Sequence, residues 1–278
     1  MILARLTLVL AFLTSAAAAD TRPEAHLLAE VRSIQPGTPF TLGLLVDIPE
    51  GWHTYWRNPG DSGMAPELAW RLPEGFTLAP LQWPFPETFE DPPVQSYGYE
   101  GRMLLLARVT PPARLPAETP CEFKVALAWM ICRDLCVPKK ADLSLTLPVL
   151  PATPAWSEWR PLFEATRGRL PSPDPGWRFQ ADAAGDTLTL AATPPPETPP
   201  ENRTSARFYP DDWNLAAAQA DWTSATNPVL RVKLAPGAKP PGRLTGTLVL
   251  SPARPGAEKK AIAVDTPIRM QTQTGDTP

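Results

Sequence analysis

Between residues 27 and 150 the apolar side chains come in short runs of period two, and nearly every gap between runs holds proline or glycine. The runs cover 27–34, 40–48, 68–72, 103–109, 123–131 and 143–149. Pro36-Gly37, Pro49-Glu50-Gly51, Pro59-Gly60-Asp61, Pro73-Glu74-Gly75 and Pro111-Pro112 separate them. Alternation of this kind makes strands that bury one face, and proline between them stops a helix from forming across the gap. The pattern predicts an antiparallel sandwich of immunoglobulin-like type, with a barrel as the other closure. The chain has 38 Pro but also 10 Trp. Disordered chains are poor in aromatics, so the prolines are read as turns between strands.

The tryptophan spacing changes at 153–168. Trp156, Trp159 and Phe163 stand at i, i+3 and i+7, with Thr153 placed to cap the start and Gly168 the end. Pro161 lies inside, so a kinked or two-piece helix is expected. Strand-like runs resume at 177–181, 187–191, 206–209, 229–234, 244–250 and 261–265. The fold class that follows is all-β: two tandem immunoglobulin-like sandwiches joined by a short helical segment. The expected boundaries are 20–152 for the first sandwich, 153–170 for the helical linker, 171–270 for a smaller second sandwich and 271–278 for a disordered tail.

Residues 1–19 read as a signal peptide. Arg5 gives the positive end, 6–13 is an apolar run too short to span a bilayer, and Ala17-Ala18-Ala19 offers small residues for cleavage after Ala19. An exported, periplasmic protein of about 260 residues is expected, without a membrane span of its own. A net charge of -3 excludes a nucleic-acid binder driven by phosphate contacts. No Gly-rich phosphate loop, Ser-His-Asp arrangement or paired carboxylate motif is found, and no organic cofactor is called for.

The chemistry points to the cysteines. Cys132 and Cys136 flank Arg133-Asp134-Leu135, and three intervening residues allow a tight loop within disulfide range, ~4.4–6.8 Å between Cα atoms. So small a loop stabilises a fold little. Arg133 would favour a thiolate at Cys132 and Asp134 would oppose it. Three readings stand open from spacing alone: a structural disulfide, a redox-active pair, and a Cu(I) site using the thiolates with Cys121, His53, Met64, Met103 or Met130. Cys121, eleven residues upstream, reads either as a buried small hydrophobe or as a third reactive thiol.

Four segments together resemble one family. They are Gly51-Trp52-His53-Thr54-Tyr55-Trp56-Arg57-Asn58-Pro59-Gly60-Asp61-Ser62-Gly63, Leu81-Gln82-Trp83-Pro84, Tyr97-Gly98-Tyr99-Glu100-Gly101, and the run from Trp129 to Pro138. They are similar, in the same order, to the periplasmic N-terminal domain of DsbD-type thiol:disulfide interchange proteins, especially the ScsB-like branch linked to copper tolerance. The resemblance implies a thiol–disulfide oxidoreductase of the protein-disulfide reductase type. Cys132 and Cys136 would be its redox pair, with Cys136 attacked first. It places His53 and Tyr55 beside the disulfide and Tyr97-Gly98-Tyr99 in a movable cap over it, Gly98 supplying backbone freedom. It implies thioredoxin-like periplasmic partners. Since full-length members continue into a membrane-embedded carrier, it also implies a separate membrane electron carrier here.

Overall fold

The computed structural model describes residues 24–116, 119–196, 205–221, 227–252, 256 and 258–270. The expected signal peptide and the 271–278 tail lie outside them. Among the described residues no helix is long and apolar enough to cross a membrane.

The first half is two antiparallel sheets facing one another. Strands β1 (Glu24–Ala29), β2 (Phe40–Asp47), β8 (Arg102–Thr110) and β5 (Thr77–Leu78) form one, in that order. The second runs β10 (Cys136–Leu147), β9 (Cys121–Cys132), β3 (His53–Gly60), β7 (Val94–Glu100) and β6 (Glu87–Asp91), and β4 (Glu67–Arg71) also pairs with β9. Period two fixes the interior: Cys121, Phe123, Val125, Leu127, Trp129 and Ile131 of β9 are buried while most intervening residues are exposed. Leu42, Leu44 and Val46 come from the facing sheet, with Met103, Leu105, Ala107 and Val109 beside them. Three of these strands carry no apolar alternation in the sequence. β3 runs through its own Pro59-Gly60 turn signal, and β6 and β7 are built of Glu87-Thr88-Phe89-Glu90-Asp91 and Val94-Gln95-Ser96-Tyr97-Gly98-Tyr99-Glu100. They form because neighbouring strands supply the ladder.

The helix, α1 (Arg160–Gly168), is shorter than the 153–168 predicted. Pro161 lies in its first turn, where the missing N–H costs nothing, so the proline starts the helix and does not kink it. Before it the chain is extended, with Trp156 bridging Val31. Phe163 is fully buried on the outer face of the four-stranded sheet, against Leu28, Leu45, Leu104 and Leu106, a burial worth about 2 kcal/mol. A Cβ at Gly43 would stand 2.7 Å from the Phe163 ring, so the docking needs glycine there. Arg167 closes the contact through paired hydrogen bonds to the buried Glu30 carboxylate.

Among the described residues, seven strands form the second half. Their order is β14 (Ala218–Asp221), β13 (Ser205–Pro210), β16 (Arg243–Ser251), β17 (Lys260–Met270), β11 (Arg178–Ala184), β12 (Thr187–Thr193) and β15 (Val229–Lys233), with only β11–β17 parallel. The sheet folds over its own core of Leu188, Leu190, Phe208, Leu230, Leu248 and Ile262. Its two ends approach, and a Leu215–Leu234 bridge ties them.

The two halves meet at the far end of β3. Asn58 is fully buried; its amide donates to the carbonyls of Pro210 (2.8 Å) and Asp212 (3.2 Å), and its Oδ1 accepts from Gly60 N–H. Arg57 pairs with Asp211 at 2.5 Å. Trp56 and Tyr97 both meet the Tyr209 ring edge to face, and the Tyr97 hydroxyl accepts from Ala217 N–H at 2.8 Å. Tyr209, Val249 and Ala261 thereby join the core of the first half.

Two substitutions test this frame. Asn58→Ala leaves buried carbonyls unpaired and is expected to cost about 2–4 kcal/mol; a thermal melt should split into two transitions as the halves uncouple. At Gly98 an added Cβ would lie 1.7 Å from the Thr54 carbonyl oxygen. Gly98→Ala should therefore lower the urea midpoint sharply, by the equivalent of several kcal/mol. A glycine kept for cap movement would instead leave the midpoint unchanged.

Candidate functional site

The β9–β10 hairpin carries the cysteines at its tip. Cys132 and Cys136 are cross-strand partners with only Arg133-Asp134-Leu135 between them, and they form a disulfide. Cys132 is buried because β3 covers it, His53 being its partner on that side. Cys136 begins β10, an edge strand, and is exposed. The two sulfurs thus differ in access although the sequence around them is nearly symmetric. Leu135, at the tip, is 78% exposed, a large apolar side chain standing beside the accessible sulfur.

Tyr55 is buried, and its hydroxyl stands 3.4 Å from Cys136 Sγ. A disulfide sulfur has no proton, so the hydroxyl donates. Burial pushes the Tyr55 phenol above its ordinary value, with a hydrogen bond to Ser62 pulling the other way; the group stays a donor through the physiological range. His53 lies edge-on to Tyr55 at 5.3 Å and stacked on Phe89 at 4.3 Å. Burial lowers its pKa from the ordinary 6.5, so the imidazole is neutral at neutral pH. Thr54, between them, donates to Met130 O at 2.8 Å and stitches β3 to β9. The opposing pulls of Arg133 and Asp134 are met differently from the sequence expectation. Arg133 binds the Asp134 carboxylate at 3.0 Å and lies over the Trp52 ring, so neither charge is left for the sulfurs alone.

Tyr97 and Tyr99 need correction. Both are buried in the sandwich core, and neither covers the disulfide. Tyr97 turns to the second half, while the Tyr99 hydroxyl donates to Pro84 O and burial pushes its pKa well up. The reason is strand pairing: Thr54 faces Tyr99 and Tyr55 faces Gly98, so the segment is the inner neighbour of β3. Gly98 serves close approach, as its contact with Thr54 shows. The side chain that does reach the site from this region is Phe89, on β6, which no sequence periodicity marks. A lone aromatic between acidic residues gives no signal until the hairpin folds it over His53.

Cys121 stands at the other end of β9, about 36 Å from Cys132 at the usual strand rise. It is buried, and desolvation raises its pKa. Met103 lies on the facing sheet. Among the described residues no three His, Cys, Asp or Glu side chains gather as a metal site.

The family model described as thiol:disulfide interchange protein DsbD, N-terminal, matches residues 24–148. The N-terminal periplasmic domain of ScsB from Proteus mirabilis has a similar crystal structure. Its TM-score is 0.63 at 17% identity, covering 88% of this chain and 92% of that one. The major pilin subunit BcpA of Bacillus cereus, as its D312A form, gives a TM-score of 0.31 at 9% identity over 90% of this chain and 70% of that one. No curated protein sequence matches the chain. The sandwich with the hairpin disulfide, residues 24–148, is therefore the part of the chain that is similar to the N-terminal domain of the DsbD thiol:disulfide interchange proteins.

Proposed function

We propose that the chain passes electrons by thiol–disulfide exchange in the periplasm, with Cys132 and Cys136 as the cycling pair. The observation that carries this is the unequal exposure of the two sulfurs at a hairpin tip, with a buried hydroxyl aimed at the exposed one. A disulfide that only braced the end of a hairpin would need no donor aimed at one of its sulfurs.

In the forward step a thiolate of a reduced thioredoxin-like partner attacks Cys136 Sγ. The bond to Cys132 breaks, and Cys132 leaves with the electron pair. The partner's second thiolate then attacks its own sulfur in the mixed disulfide and frees Cys136. The partner ends as a disulfide, and this domain holds two thiols, having gained two electrons and the partner's two protons. Discharge follows the same path: the Cys136 thiolate attacks a disulfide of an oxidised periplasmic protein, and Cys132 resolves the intermediate. Tyr55 stabilises negative charge on Cys136 by donating to it, which lowers that thiol's pKa. Neutral His53, two residues along on the same strand face, is placed to take and return the proton. Electrons come from a membrane carrier through the thioredoxin-like partner.

The test is trapping with single-cysteine variants. Cys132→Ser should hold an oxidised thioredoxin-like protein as a stable mixed disulfide through Cys136, visible as a band lost on reduction. Cys136→Ser should trap at least tenfold less, because only a buried sulfur remains. Equal trapping by both variants would overturn the assignment of Cys136, and trapping by neither would overturn the exchange reading itself.

A further inference from the structure

Strand β6 has two faces with different occupants. Phe89 stacks on His53, in the group that ends at Cys136 through Tyr55. Its neighbours Thr88 and Glu90 point the other way, as strand alternation requires, and both meet the second half of the chain. Arg207 Nη1 donates to Thr88 Oγ1 and its Nη2 lies 3.9 Å from Glu90 Oε1, while the Tyr209 hydroxyl is 3.1 Å from Thr88. Arg207 is fixed in turn by Gln219 on β14, and Tyr209 by the rings of Trp56 and Tyr97. β6 is otherwise an edge strand, held by its own sheet only through β7. Its start is also held by an Arg169–Glu87 ion pair, but beyond Glu87 the backing of this five-residue strand comes from β13.

Resting on the exchange reading above, we propose that Arg207 and Tyr209 are positioning residues for the redox site. They brace β6 from behind, hold Phe89 against His53, and so set how readily a thiol reaches the Cys132–Cys136 bond. The second half is thus a fixed backing for Phe89, the ring that packs on His53 beside the disulfide. A partner that displaces Phe89 works against this brace, whereas small thiols report how often the brace yields unaided.

The experiment measures reduction of the full mature chain by dithiothreitol, in which one thiolate attacks Cys136, Cys132 leaves, and the reagent closes to its cyclic disulfide. Rates are read by acid quench and alkylation, and the equilibrium against glutathione is measured in parallel. Arg207→Ala and Tyr209→Phe should each raise the rate roughly 3- to 10-fold, the gain in open population that losing one net hydrogen bond allows. The glutathione equilibrium should not move, and Arg207→Lys should return the rate toward that of the parent. Phe89→Ala should raise the rate as well, and adding Arg207→Ala to it should bring no further gain, since both act through one side chain. Unchanged rates in folded variants, or gains that multiply in the double variant, would overturn the proposal. If Arg207→Ala does not fold, Thr88→Val removes the group that both brace residues contact and is scored in the same way. A parent disulfide that glutathione cannot reduce would defeat the exchange reading, yet the dithiothreitol rates would still decide the brace.

Discussion

A strand offers alternate side chains to opposite faces, and β3 uses that rule to serve both ends of the first half. His53 and Tyr55 fall on the face that meets the cysteine hairpin, while Trp56 goes into the core and on to Tyr209. Within the irregular stretch between Tyr55 and Gly60, Arg57 and Asn58 hold the second half. One short segment therefore buries Cys132, supplies the donor for Cys136 and anchors the joint. The close approach of β7 at Gly98 is what lets β3 sit this deep. Any change that shifts β3 moves the disulfide environment and the joint together.

The asymmetry of the cysteine pair follows from that placement. Both residues stand on one hairpin with the same covalent surroundings, but β3 lies against only one side of β9, and β10 is left as an edge. Burial would make Cys132 a poor nucleophile and a slow target. Exposure leaves Cys136 as the sulfur open to solvent, and the Tyr55 hydroxyl donates to it. The exposed Leu135 at the tip adds an apolar contact next to it, and the neighbouring Arg133–Asp134 pair leaves the local charge balanced.

Much of this was legible in the residues. Alternation gave β2, β8, β9 and most strands of the second half, because those strands bury one face and expose the other. β3, β6 and β7 were opaque. Their side chains are chosen for the joint and the site, so glycine, proline, tyrosine and glutamate replace the apolar period. The 153–168 helix was overlong because Trp156 and Trp159 mimic a helical stripe, yet both stay exposed, and only Phe163 enters a core. The motif resemblance placed Cys132, Cys136, His53 and Tyr55 side by side. It misplaced Tyr97 and Tyr99, since a motif records which residues recur and not which way a strand turns them. Phe89, Arg207 and Tyr209 depend on contacts between segments up to about 120 residues apart, which no local pattern encodes.

The central claim is that the Cys132–Cys136 bond opens and closes under periplasmic conditions. Its most direct test is the reduction potential of the purified protein, read by alkylation mass spectrometry across a glutathione series. A value between roughly -120 and -270 mV, unchanged by Cys121→Ala, is the result this account predicts. A bond that remains oxidised below about -300 mV would make it a structural staple and contradict the account.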